Sequence, residues 1–141
     1  MEQNLILLPI GLMIVLTFVV ALHLRYFASK GALDEEIRLG YFKTNQIDTP
    51  DYILTARQHY KNMFEVPIIF YIVCILIYLN NNIDIIDIIL AWIFVGIKYA
   101  HSAIRMTSNY VPYRAMAFSL GFFVVIVQYI YFFLKLFNLL N

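Results

Sequence analysis

Cysteine is almost absent from this 141-residue chain: Cys74 stands alone inside an apolar run, so there is no disulfide framework and no paired-cysteine spacing for a metal. The sequence has no glycine-rich phosphate loop, no HExxH and no GxSxG, which removes nucleotide-binding, zinc-protease and serine-hydrolase chemistry. It has no internal repeat of the kind that lets one half of a transporter rock against the other. Charge is also scarce, at 13% of residues against about a quarter in a soluble domain. The net charge is only +1 and the basic residues border apolar runs, which excludes nucleic acid as a partner.

What fills the chain instead is hydrocarbon. The residues are 62% hydrophobic and the mean hydropathy is +0.76. Four apolar segments, 5–24, 63–79, 83–100 and 115–134, each approach the roughly 20 helical residues that cross a bilayer core. The connections are residues 28–49, 80–82 and 109–112. This pattern predicts an all-α integral membrane protein, a four-transmembrane-helix bundle forming one domain over residues 1–141, with membrane lipids as its surroundings.

Nine of the ten Lys and Arg residues fall on one side of that bundle, around the first and third connections, and only Lys135 falls on the other. By the positive-inside rule both termini face outward and the basic side faces the cytoplasm. Glu2 before the first apolar segment and Arg25 after it fit a retained span better than a cleaved signal. The C-terminal FNLLN carries no retrieval signal, which points to a bacterial inner membrane. Arg25 and Tyr26 read as an interface anchor. The connection 28–49, rich in both charges, is a solvated connector or a lid over a site beneath it.

The informative stretch is 57–70, RQHYKNMFEVPIIF, where a polar cluster runs straight into an apolar helix. Thr49 can cap that helix, Pro50 suits its first position, Asp51 suits its positive end, and Pro67 should kink it. At about 100° per residue, Gln58, Lys61, Asn62 and Glu65 share one face, which is unlikely to point at lipid. In the third span Asp84, Asp87, Lys98, His101, Ser102, Arg105 and Asn109 also share a side. An ionisable group in hydrocarbon costs at least about 2.5 kcal/mol, so this stripe should face the bundle interior, a partner subunit or a wet cavity. Asp84 and Asp87 are expected to be hydrated at the outer end, and Glu65 to pair with Lys98 or Arg105. In the fourth span Arg114, Phe118, Gly121 and Gln128 share a face, and Arg114 lies beside the helix start opened by Pro112. A cation there opposes the helix dipole unless an anion sits with it.

Several cations, one deep carboxylate and nearby amides suit a small zwitterionic anion. Glutathione, with two carboxylates, one ammonium and a thiol, fits as a co-substrate. An adjacent arginine would shift its thiol toward the reactive thiolate.

Two segments, KNMFEVP (61–67) and KYAHSAIRMTSNYVPYRAMAF (98–118), resemble the MAPEG family of membrane-associated proteins in eicosanoid and glutathione metabolism. The resemblance extends over the chain in span number and length. It implies that Asn62 and Glu65 are the glutathione-binding pair, that Lys98 and His101 stand for an arginine and a histidine of the third helix, and that Arg114 stabilises the thiolate. It further implies a homotrimer with glutathione between neighbouring subunits on the cytoplasmic side. The chain departs from the pattern at Gln58, where the family has arginine and where Arg57 and Lys61 stand nearby. It departs again at Arg105 for a tyrosine, Ala115 for a serine and Phe118 for a tyrosine; Tyr110 and Tyr113 are the nearest hydroxyls. The site residues to examine are therefore Arg114 as the catalytic group, with Gln58, Lys61, Asn62, Glu65, Lys98, His101 and Arg105 for binding, and no metal. Two readings follow: a glutathione transferase or peroxidase acting on lipophilic electrophiles or lipid hydroperoxides, or a non-catalytic membrane protein binding another anionic lipid or metabolite.

Overall fold

A computed structural model of the chain describes residues 2–34, 37 and 49–139. A 3-10 turn, Gln3–Ile6, leads into α1, Leu7–Leu33; then follow α2, Asp51–Asn62, α3, Val66–Leu79, α4, Ile85–Met106, and α5, Val111–Leu136. Among the described residues there is no strand. Four helical segments are long and apolar enough to cross a membrane, α2 and α3 together making the second.

Apolar side chains that face inward hold the bundle together. α4 packs mainly on α5, and α2 on α1. The Phe70 and Phe94 rings stack at 4.3 Å between α3 and α4, surrounded by Met13, Leu16, Val20, Cys74, Ala91 and Val125. Large apolar side chains on the other faces, such as Phe18, Leu22 and Phe123, are more than 60% exposed, which suits lipid or another protein surface.

Helix α1 runs nine residues beyond the apolar segment that announced it, because residues 25–33 form good helix even though they leave hydrocarbon. Gly31 lets α2 close on this extension: a Cβ there would lie 2.5 Å from Cδ1 of Ile53. Most of the connection expected at 28–49, and with it the lid reading, lies outside the described residues. At the start of α2, Pro50 is the flanking residue in extended conformation (ψ 139°) and Asp51 is the first helical one, a position later than the sequence pattern placed the cap.

Pro67 acts through its predecessors. It occupies the second position of α3, where its missing N–H costs nothing, and the interruption falls at residues 63–65. The N–H groups of Met63 and Phe64 tighten onto the carbonyls three residues back, Tyr60 and Lys61, and Glu65 then leaves helical geometry at ψ −91°. The proline ring excludes the carbonyl four residues before it, which is that of Met63, so the chain breaks there and bends Glu65 out of the ladder.

The inward stripe of α4 is confirmed: Asp87, Lys98, His101, Ser102 and Arg105 are all buried. Its two acidic residues are not simply hydrated. Asp84 caps α4, accepting from the N–H groups of Ile86 and Asp87 at 2.9 and 3.1 Å, while Asp87 accepts from the Asp84 N–H at 3.1 Å. Lys135, from the last turn of α5, then reaches both carboxylates, at 2.8 Å to Asp84 and 2.7 Å to Asp87, and Tyr131 donates to Asp84 at 2.6 Å. An ammonium placed between them offsets part of the cost of burying Asp87, so the cluster is a clasp joining α4 to α5.

Candidate functional site

At the opposite end of the bundle, α2, the interruption before α3, α4 and α5 enclose a cleft of about 460 Å³. It is lined by Gln58, Lys61, Asn62, Glu65, His101, Arg105, Arg114, Ala115, Phe118 and Ser119. The Pro67 break matters here, because it ends α2 at Asn62 and leaves Glu65 exposed at the rim rather than inside a continuous helix.

Each polar group has a distinct support. Arg105 is buried, and its Nη2 donates to Oε1 of Gln58 at 2.8 Å and to the Thr55 carbonyl at 3.4 Å, while its Nε has no partner. The arginine and the glutamine therefore hold each other across α4 and α2. His101, also buried, faces the Phe118 ring at 6.3 Å and the His59 ring at 6.1 Å, with its Nδ1 unpartnered. Arg114 Nη1 donates to Oδ1 of Asn109 at 2.7 Å. That amide, not an anion, is what meets the cation beside the start of α5. Gln58, Lys61 and Glu65 are exposed and Asn62 is half-buried, so the cleft opens along one flank.

Of the residues selected from sequence, all but Lys98 meet in this cleft. Lys98 is 1% exposed and stands behind it, its Nζ 5.5 Å from the centre of the Phe118 ring. Glu65 forms no ion pair with Lys98 or Arg105: among the described residues, the ion pairs at hydrogen-bonding range are those of Lys135. The break at 63–65 turns its carboxylate to the rim, and Arg105 is taken by Gln58 instead. Tyr110 and Tyr113 meet edge to face at 4.9 Å, are more than half exposed, and do not line the cleft.

Two features escaped the sequence reading. Ser119, one turn beyond Ala115 on α5, is the only hydroxyl lining the cleft among the described residues. His59 is fully buried behind it and shares a hydrogen bond of 2.9 Å with Ser102 Oγ. The spacing of Ser119 from Ala115 could have indicated the first; His59 lies among charged neighbours and gave no signal of burial.

The cleft thus offers three cations, Lys61, Arg105 and Arg114, against the single carboxylate of Glu65, with the amides of Gln58 and Asn62 between them. The charge pattern of such a set is complementary to an anion of more than one negative charge that also carries one positive group. The MAPEG family model matches residues 6–134. The chain belongs to the MAPEG family. That family includes glutathione transferases and related proteins, and the match takes in every helix that builds the cleft. No curated protein and no solved structure matches the chain. The MAPEG membership and the four membrane-length helices agree with a multi-pass membrane protein.

Proposed function

We propose that this MAPEG protein is a glutathione-dependent membrane transferase or peroxidase acting on lipophilic electrophiles or lipid hydroperoxides. The observation that carries the reading is the charge of the cleft: among the described residues, three cations with no carboxylate at ion-pair distance surround one carboxylate that has no cation at that distance either. Glutathione as its thiolate carries two carboxylates, a thiolate and one ammonium. Arg105 and Lys61 take the carboxylates, Glu65 takes the ammonium, Asn62 and Gln58 satisfy peptide groups, and Arg114 faces the sulfur. Lys98 supplies field and packing from behind, and His101 contributes to the wall of the cleft.

Chemistry at such a site needs positioning and a cation more than a general base. The sulfur lone pair forms a carbon–sulfur bond at the electrophilic carbon, and the leaving group departs with the bonding pair. With a hydroperoxide the sulfur attacks the distal oxygen, the O–O bond breaks, the departing alkoxide takes a proton from water to become the alcohol, and the glutathione sulfenic acid so formed condenses with a second glutathione to give the disulfide and water. The lipophilic substrate arrives laterally along the exposed apolar faces of α3 and α5. On the positive-inside rule the cleft faces the cytoplasm, of a bacterial inner membrane, and its open flank is completed by a neighbouring copy in a homotrimer.

A second reading has its own support: Ala115 and Phe118 put no hydroxyl beside Arg114. In that version the cleft holds another anionic lipid or metabolite without turnover. Glutathione binding to the detergent-purified protein, followed by ultraviolet absorbance of the bound thiolate, separates the two. Saturable binding with a thiolate band that disappears in Arg114→Ala is the expected result. No binding at millimolar glutathione overturns the enzyme reading.

A further inference from the structure

Among the described residues three non-glycine positions adopt left-handed backbone, and all are asparagines that turn the chain at a helix end: Asn81 after α3, Asn109 after α4 and Asn138 after α5. Asparagine tolerates this region better than most residues because its short amide fits it. At two of these sites the turn is all there is, since among the described residues the side chains of Asn81 and Asn138 make no hydrogen bond. Asn109 differs. At φ 47° its own N–H closes α4 on the Ile104 carbonyl at 2.7 Å, and its side-chain oxygen accepts from Arg114 Nη1 at 2.7 Å.

We propose that Asn109 is the positioning residue for Arg114, holding the guanidinium at the cleft through a neutral acceptor so that its charge and remaining donors face the bound sulfur. This rests on the reading of the cleft as a glutathione site. A guanidinium has five N–H donors and this bond uses one. The acceptor is an amide, so it fixes direction without cancelling charge; a carboxylate at the same place would fix direction and cancel it. The left-handed turn is the means of aim, because it sets the amide on the side of the α4–α5 connection where α5 begins. Arg114 enters α5 with its N–H on the Tyr110 carbonyl at 3.1 Å, so backbone and side chain are both tied to the connection that Asn109 shapes.

The test uses the full-length purified protein with saturating glutathione, comparing wild type, Asn109→Gly, Asn109→Asp, and each of these combined with Arg114→Ala. Glycine keeps the left-handed turn and removes the amide. Its kcat with chlorodinitrobenzene is expected to fall about tenfold, with the KM for glutathione within about twofold, as for lost orientation of a bound group. Aspartate keeps turn and hydrogen bond but adds a negative charge near the sulfur. The pH midpoint of the thiolate band is expected to rise by about one unit, the effect of a like charge at close range. In the Arg114→Ala background the glycine change should have no further effect on kcat, since Asn109 acts only through that arginine, whereas any loss of kcat from aspartate there measures the direct action of its carboxylate on the sulfur. If the glycine variant fails to fold, the midpoint of the aspartate variant carries the test, because aspartate also tolerates the turn. A wild-type kcat in the glycine variant, an unmoved midpoint in the aspartate variant, or a glycine effect on kcat that persists without Arg114 overturns the inference and leaves the glutathione reading standing. A wild-type protein that shows no thiolate at saturating glutathione overturns both.

Discussion

At the Asp84 end of the bundle Lys135 sits between two carboxylates at 2.8 and 2.7 Å, whereas at the Glu65 end Lys61, Arg105 and Arg114 share a cleft with one carboxylate that none of them pairs with. Both ends join the same two helices, α4 and α5. The first has every charge within reach of its opposite. The second keeps cations apart by tying them to amides, Arg105 to Gln58 and Arg114 to Asn109. Neutral acceptors orient a cation and leave its charge uncompensated. A closed ion cluster fastens helices; an open one waits for an anion.

The sharpest break in the comparison is Arg114→Ala. Removing a cation aimed at developing or resident negative charge typically costs about 10²- to 10³-fold in turnover. That loss is expected in kcat for glutathione conjugation, with the oligomer retained on size-exclusion chromatography. A variant that loses its assembly instead would make Arg114 a structural residue like Lys135.

Lys135→Met attacks the other end. It leaves the carboxylate of Asp87, which is fully buried, without its ammonium. Breaking one side of a buried pair costs about 3 kcal/mol or more. Thermal unfolding in detergent should reveal a clear drop in Tm, while glutathione affinity of the remaining folded protein stays within about twofold because the sites lie at opposite ends. An unchanged Tm would mean that the clasp fastens nothing.

These two ends also show what could be read from the chain before its structure. The four spans were plain because continuous apolar runs have one physical outcome in a bilayer, and the inward stripe of α4 followed from the helical period alone. Gln58, Lys61, Asn62 and Glu65 could be grouped from the helical period of 57–70, and Arg114 joined them through the resemblance of 98–118 to the MAPEG pattern. The Lys135 clasp was not, since its partners lie 48 and 51 positions away in sequence and a lone basic residue on the sparse side looked like topology only. The Pro67 break was placed at the proline, although a proline acts on the carbonyl four residues earlier. The pairing of Glu65 failed for the same reason: the bend that moves Glu65 to the rim is a tertiary consequence of a local steric clash. Lys98 shares the stripe with the site residues, yet side-chain packing against Phe118 sets it behind the cleft, and periodicity carries no information on depth.

Gln58→Glu would make the open end resemble the closed one. The side chain is nearly isosteric and already accepts from Arg105 at 2.8 Å, so a carboxylate there forms an ion pair with the arginine in place. Glutathione then meets one fewer available cation and one added negative charge, and its Kd should rise about tenfold, the scale of one charge-assisted hydrogen bond. Tm should hold or increase slightly. Equal affinity in the variant, measured by calorimetry, would show that Arg105 is a structural cation and that the anion is held by Lys61 and Arg114.

The smallest effect belongs to Ser119. A serine within a helix commonly returns its hydroxyl to the carbonyl four residues back, as Thr17 and Thr107 do with Met13 and Ala103 at 2.9 and 2.7 Å. Ser119 makes no such bond among the described residues, and it lines the cleft one turn from Ala115, so its proton is available to a ligand. A single hydroxyl donated to an anion contributes about 1 kcal/mol net, roughly a fivefold effect. Ser119→Ala should therefore reduce turnover about fivefold and move the thiolate midpoint upward by a few tenths of a pH unit, and Ser119→Thr should restore most of both. If alanine equals wild type in both measurements, the sulfur is stabilised by Arg114 alone, and the cleft works by fixed positive charge without a hydroxyl.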